Sequence, residues 1–211
     1  MASTQATTAA DAVPTGNTFD KYGSTNPVVR RLMAGFERTL DELWARAEPR
    51  SVLDVGCGEG VLTHEWAQRL GERPIVGIDL DDPKLAAEWD QRTRANLSYR
   101  VEEATRLSFA AGEFDVATAI EVLEHVPDPE ATVAEMARVA QRFLIVSVPR
   151  EPLWRGLNMA RGAYWGALGN TPGHLNHWSK RSFVALLERH GTVEEARSPF
   201  PWTMLLVRTG R

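Results

Sequence analysis

Cysteine is almost missing from this chain, with Cys57 standing alone among 211 residues. That excludes an internal disulfide framework and a Cys-rich zinc site, and it fits a reducing compartment. An excess of basic residues is missing too, since 24 Lys plus Arg face 28 Asp plus Glu for a formal charge of -4. Sequence-independent binding to nucleic acid would leave a basic footprint, so RNA or DNA starts at a disadvantage as a substrate. No apolar run approaches the ~20 residues that cross a bilayer, so no membrane span is expected. Residues 1–18, MASTQATTAADAVPTGNT, lack the apolar core of a secretion signal and the arginines of a transit peptide. They are expected to form a disordered tail on a cytoplasmic protein.

What remains, residues 19–211, is long enough for one α/β domain and too short for two of ordinary size. Val28, Leu32, Phe36, Leu40, Leu43 and Ala47 recur at steps of three and four, which predicts an amphipathic helix from Pro27 to Glu48, ended by Pro49. An alternation follows. SVLDV, PIVGID, LSYRV, FDVATAI and RFLIVSV read as strands, while Val61 to Leu70, Pro83 to Arg94 and Glu130 to Ala140 read as helices. This order implies a mostly parallel sheet covered on both faces. A Gly-, Arg- and Trp-rich insert, residues 150–178, precedes a helix from Ser179 to His190, and TVEEAR and WTMLLVR are expected to close the sheet as an antiparallel pair.

The first strand-to-helix turn, DVGCGEG, places Gly56, Gly58 and Gly60 where an open parallel sheet binds its ligand. A dinucleotide turn would carry its third glycine at position 61, where Val61 stands. A triphosphate loop would end in Gly-Lys-Ser/Thr, yet no lysine lies between Lys21 and Lys84. Neither phosphate reading fits.

The arrangement D-x-G-x-G-x-G after an apolar strand resembles motif I of the class I S-adenosylmethionine-dependent methyltransferases, and the resemblance extends over about residues 50–150. It implies a Rossmann-like fold with a seven-stranded, mainly parallel sheet, one antiparallel strand and helices on both faces. It also implies roles. Asp79, in VGIDL, would accept from both ribose hydroxyls, with Leu80 beside it. Glu103 in VEEATRLSF would accept from the adenine amino group, and the Ala104 NH would face the ring. Asp54 would orient the turn and the amino-acid end of the cofactor, Gly56 and Gly58 would allow close backbone approach, and Cys57 would be a small packed side chain. The cofactor has no phosphate and carries sulfonium and ammonium charges, so acids such as Asp54, Glu59, Asp79, Glu103 and Glu121 suit it.

AIEVLEHVPDPE sets Glu121, Glu124 and His125 at i, i+3 and i+4, so one helical turn would bring all three to one face. Two carboxylates and an imidazole there suit either a divalent ion or acid and base chemistry, with His125 as general base. The stretch resembles that of the ubiquinone-type O-methyltransferases, in which the acids and histidine are linked to a divalent ion. It is also similar to the small-RNA 3′-end 2′-O-methyltransferases, which add a downstream histidine. On that resemblance HLNHWSKRSF supplies His174, with His177 as competitor, and Glu121, Glu124, His125 and His174 would hold Mg or Mn.

Two covers are expected around the site. Phe19 and Tyr22 in TFDKYGSTNPVVR would close over the sulfonium, as part of an N-terminal helical cap over residues 19–48. In the insert, Trp154, Tyr164, Trp165 and Trp178 accompany Arg150, Arg155 and Arg161, which suits an aromatic or acidic acceptor. The reading is O-methylation of a small molecule in specialised or quinone-like metabolism. Methylation of an RNA 3′ end, N-methylation and a catalytically silent cofactor-binding subunit are the alternatives.

Overall fold

The computed structural model describes residues 26–160, 162 and 165–210. The tail of residues 1–18, the cover expected from Phe19 and Tyr22, and Arg161 and Tyr164 lie outside them; of Trp165 only the backbone is described. The elements are α1 (Pro27–Ala47), β1 (Val52–Val55), α2 (Val61–Leu70), β2 (Ile75–Asp79), α3 (Pro83–Trp89), β3 (Leu97–Val101), β4 (Phe114–Ile120), α4 (Pro129–Val139), β5 (Ala140–Pro149), α5 (Leu153–Ala160), α6 (Lys180–Leu187), β6 (Gly191–Arg197) and β7 (Trp202–Thr209).

The seven strands form one sheet in the order β3-β2-β1-β4-β5-β7-β6. β7 alone is reversed, pairing antiparallel with both β5 and β6. Strand residues alternate between two cores. Leu53, Val55, Ile78, Leu144 and Val146 join Val133 and Met136 of α4 and Phe183 of α6 on one face. Val52, Ile75, Phe143 and Ile145 join Phe36 and Leu43 of α1 and Trp66 of α2 on the other. Burial on both faces explains the near-continuous apolar runs of the parallel strands.

α1 starts where expected, because Pro27 occupies its first turn and the Asn26 side chain accepts from the Val28 N–H. Its buried face differs in part from the predicted stripe. Val28 is 65% exposed, whereas Met33 and Trp44 are buried, and Trp44 stacks on Trp66 of α2 at 4.7 Å. α3 is shorter than expected: beyond Trp89 the Gln91 and Arg92 amides bond to the carbonyls of Glu88 and Trp89, three residues back, which tightens the chain into a turn. The insert, expected as a loop, contains α5 and a single 3-10 turn at Trp165–Ala167.

Candidate active site

β1 and β2 deliver the glycine turn to the carboxyl edge of the sheet. The amides of Gly56 and Cys57 both donate to the Ile78 carbonyl, at 2.8 and 3.0 Å. Gly56, Gly58 and Gly60 have φ of 70°, 54° and 76°, a region that favours glycine. At Gly56 the need is doubled, since an added Cβ would stand 2.5 Å from a Val122 methyl.

Asp79 caps this turn. Its two carboxylate oxygens accept from the Gly58 and Leu80 amides at 2.7 and 2.8 Å. Each oxygen keeps lone-pair capacity for a ligand hydroxyl. Burial pushes the Asp79 carboxyl above its ordinary value, and the two amide bonds pull the other way.

Asp54 is buried, and the parallel register of β1 with β4 sets it opposite Thr118. Its oxygens accept from the hydroxyls of Thr118 at 2.7 Å and Thr63 at 2.6 Å, so it ties β1 to β4 and to α2. Burial pushes its pKa up to about 6. The Cys57 thiol is likewise pushed up by burial, away from any nucleophilic role, as expected of a packed side chain.

An aromatic pair braces the turn from behind. The Trp89 indole donates to the Gly58 carbonyl at 2.8 Å, the Tyr99 hydroxyl donates to the Gly60 carbonyl at 3.2 Å, and the two rings stack at 5.1 Å. Sequence reasoning missed both residues. The pairing that marks Tyr99 is not local: Gly77 faces it across the β2–β3 ladder, where a Cβ would lie 2.8 Å from the ring.

Glu121, Glu124 and His125 follow β4 in a turn, not in a helix. Glu121 has φ of 60°, which rotates it out of helical alignment. Its carboxylate accepts from the Trp202 indole N–H at 2.7 Å and the Ser147 hydroxyl at 3.2 Å. Of the four residues expected as ligands on the family resemblance, three approach one another here. A carboxylate oxygen of Glu124 and one ring nitrogen each of His125 and His174 lie within 4.8 Å of one another.

The insert brings His174 there. Leu175 and Asn176 donate their amides to the Glu124 carbonyl, and the Asn176 side chain donates to the carbonyls of Leu123 and Val126. His125 Nδ1 bonds the Gly173 carbonyl at 2.9 Å, which requires the hydrogen on Nδ1 and leaves Nε2 as the basic nitrogen of the neutral ring. His177 is exposed and bonds Asn170, so it does not compete.

One cavity of about 880 Å³ joins these parts. Asp54, Gly56, Cys57, Gly58, Asp79, Leu80, Glu103 and Ala104 line one end; Glu124, His125 and His174 line the other, beneath Phe36 of α1, Trp154 of α5 and Trp202 of β7. Charged lining residues among those described are acids and histidines. An acidic acceptor is expected beside Arg150, Arg155 and Arg161, of which Arg150 and Arg155 are among the described residues. Neither lines the cavity, and the Arg155 side chain is spent on the Leu168 carbonyl. Trp178 points elsewhere as well, against Phe183 of α6.

Comparison with known proteins agrees with this geometry. A family model described as a methyltransferase domain matches residues 28–193. The ubiquinone biosynthesis O-methyltransferase of Methylococcus capsulatus is 34% identical over 160 residues, covering 67% of this chain and 66% of that protein. The chain thus spans less than two thirds of such curated relatives. Among solved structures, magnesium protoporphyrin IX methyltransferase from Synechocystis PCC 6803 with bound S-adenosylhomocysteine superposes with a TM-score of 0.65 at 21% identity, covering 89% of this chain and 90% of that one. A complex of the Haloferax volcanii Trm112 methyltransferase activator with a methyltransferase gives 0.68 at 16% identity, over 86% and 95%. These likenesses show the fold. Together with the glycine turn and Asp79, the family match places the chain among the class I S-adenosylmethionine-dependent methyltransferases.

Proposed function

We propose that this chain methylates a hydroxyl oxygen of a small, uncharged or cationic molecule. The observation that carries the reading is the continuous cavity lined by both Asp79 and His125 and by the aromatic rings of Phe36, Trp154 and Trp202. A volume of about 880 Å³ suits a nucleoside cofactor and a small acceptor together. The donor set fits the cofactor: acids face its cationic groups, Asp79 suits the ribose hydroxyls, and Glu103 with the Ala104 amide suits adenine. α2 begins on the turn without a side-chain cap, and its positive end suits the cofactor carboxylate.

S-adenosylmethionine supplies an electrophilic methyl on a good leaving group. The protein's work is alignment, worth effective molarities of ~10⁵ M or more in well-oriented systems. Asp79 and the glycine turn fix one reactant, while Phe36, Trp154 and Trp202 exclude water around the other. His125 Nε2 would take the hydroxyl proton as the oxygen bonds to the methyl carbon and the methyl–sulfur bond breaks, its electron pair staying on the departing thioether; the Gly173 carbonyl holds the ring in the tautomer that can do so. Naming of relatives as O-methyltransferases supports oxygen over nitrogen as acceptor.

A test is calorimetric titration with S-adenosylmethionine, followed by transfer of labelled methyl to a panel of phenols, catechols and aliphatic alcohols. Micromolar affinity and ether formation are expected. Absence of cofactor affinity, or label on amines alone, would overturn the reading.

A second reading has a divalent ion on Glu124, His125 and His174, favoured by the approach of their ligand atoms within 4.8 Å. Mg or Mn suits a mixed carboxylate and imidazole set, and the ion would lower the acceptor hydroxyl pKa. If chelation leaves transfer intact, His125 acts alone; if Mn restores lost activity, the ion reading replaces it. The same three residues suit an RNA 3′-end acceptor, but acid lining opposes a phosphate chain.

A further inference from the structure

Glu121 departs from the role its spacing suggests. The β4–β5 register sets Ile120 opposite Ser147, so the next residue begins its turn against that serine. The Glu121 amide donates toward the Ser147 carbonyl and hydroxyl, both at 3.1 Å, and the hydroxyl donates in turn to the Glu121 carboxylate. These contacts hold a non-glycine residue at φ of 60°, a conformation that persists only when its surroundings over-determine it. The result is a carboxylate aimed along the sheet edge at β7, where its other oxygen accepts from Trp202 Nε1.

Trp202 is the first residue of β7 and is buried. Phe36 of α1 meets it edge-on at 4.9 Å, and Trp154 of α5 meets it at 5.8 Å. Trp154 continues to His174 at 6.4 Å, and the Trp154 indole donates to the Thr171 hydroxyl at 3.0 Å. One indole thus joins the N-terminal helix, the insert helix and the last strand on the acceptor side of the cavity. An indole can rotate about two side-chain bonds; a charged acceptor on its N–H selects one setting.

We infer that Glu121 is a positioning residue: by holding the Trp202 indole it sets the acceptor-side wall, and it carries neither a proton nor an ion during the reaction. This rests on the methyl-transfer reading above. It separates Glu121 from Glu124 and His125, beside which it lines the cavity.

Three variants distinguish the roles. Glu121→Gln keeps an oxygen for the indole but loses the negative charge, so kcat and acceptor KM stay within about threefold of the parent. Glu121→Ala loses the acceptor, and acceptor KM rises roughly tenfold while kcat and S-adenosylmethionine affinity change little. Glu121→Gly repeats that result while tolerating the left-handed backbone, which separates the side chain from the strain. The indole N–H resonance of Trp202, assigned with Trp202→Phe in ¹⁵N-tryptophan-labelled protein, shifts upfield in Ala and Gly but less in Gln. That spectrum needs no turnover, so it reads the Glu121–Trp202 link even if methyl transfer itself is absent. A hundredfold loss of kcat in Glu121→Gln, an unmoved indole resonance in Glu121→Ala, or a loss of cofactor affinity in place of acceptor affinity would overturn the inference.

Discussion

His125 and His174 meet ring edge to ring face, with centroids 4.9 Å apart and planes inclined at 83°, although one belongs to the turn after β4 and the other to the insert after β5. Both rings line the cavity. The contact also makes the turn and the insert a single unit, because the Gly173 carbonyl orients His125 while the Glu124 carbonyl anchors Leu175 and Asn176.

His125→Ala is expected to lower kcat by about 10²–10⁴-fold, the range for losing a positioned general base. Cofactor affinity, measured by calorimetry, stays within about twofold of the parent because His125 stands at the acceptor end. An equal loss of both quantities would show that His125 only supports the fold of the cavity.

Asp79→Ala removes the acceptor for two backbone amides and, on the proposed reading, for the ribose hydroxyls as well. Affinity for S-adenosylmethionine is expected to fall about 10- to 100-fold, from the ~1.5–3 kcal/mol of hydrogen bonds to a charged group. Calorimetric titration of S-adenosylhomocysteine checks it, since both ligands share the ribose. An unchanged dissociation constant would remove Asp79 from the site.

Asp54 makes stability and affinity depend on pH in opposite directions. Its carboxyl ionises near 3.8 in the unfolded chain and at about 6 when folded, so the folded state holds the extra proton between these values. The Asp54 contribution to stability is therefore largest below about pH 4, falls as pH rises through about 6, and is flat above, by roughly 3 kcal/mol in all. A cationic cofactor prefers the ionised form, so its affinity rises over the same interval. Denaturant melts and titrations from pH 4.5 to 7.5 follow both trends; Asp54→Asn should abolish both.

Gly56→Ala puts a methyl against Val122 and an L-residue at φ of 70°. The left-handed backbone alone costs about 1–2 kcal/mol. A lowered thermal midpoint and weakened cofactor binding are expected, and adding Val122→Ala should relieve only the steric part. Full recovery in the double variant would mean that the backbone carries no strain.

The reach of sequence reasoning differs from element to element. VLTHEWAQRL reads as a helix over the residues that form α2, because a stretch whose apolar spacing lies within itself, between Gly60 and Gly71, needs no distant partner to declare it. Val28 misleads, since its spacing fits the buried stripe of α1 but nothing in the chain reveals that the stripe turns toward Met33 and Trp44. Trp89 and Tyr99 stayed hidden because their task, bracing the glycine turn, depends on two elements meeting over it.

By itself the amino-acid order determined the alternating α/β class, the glycine turn, and the candidacy of Glu124 and His125, which follow from local periodicity and spacing, and through its family resemblance the acid on the second strand. Tertiary structure decided which of the marked residues act together. It joined His174 to the turn and sent Glu121 to Trp202. A side chain's partner is set by strand register and by one backbone angle, and a difference of sign in φ redirects a carboxylate that spacing alone would place elsewhere.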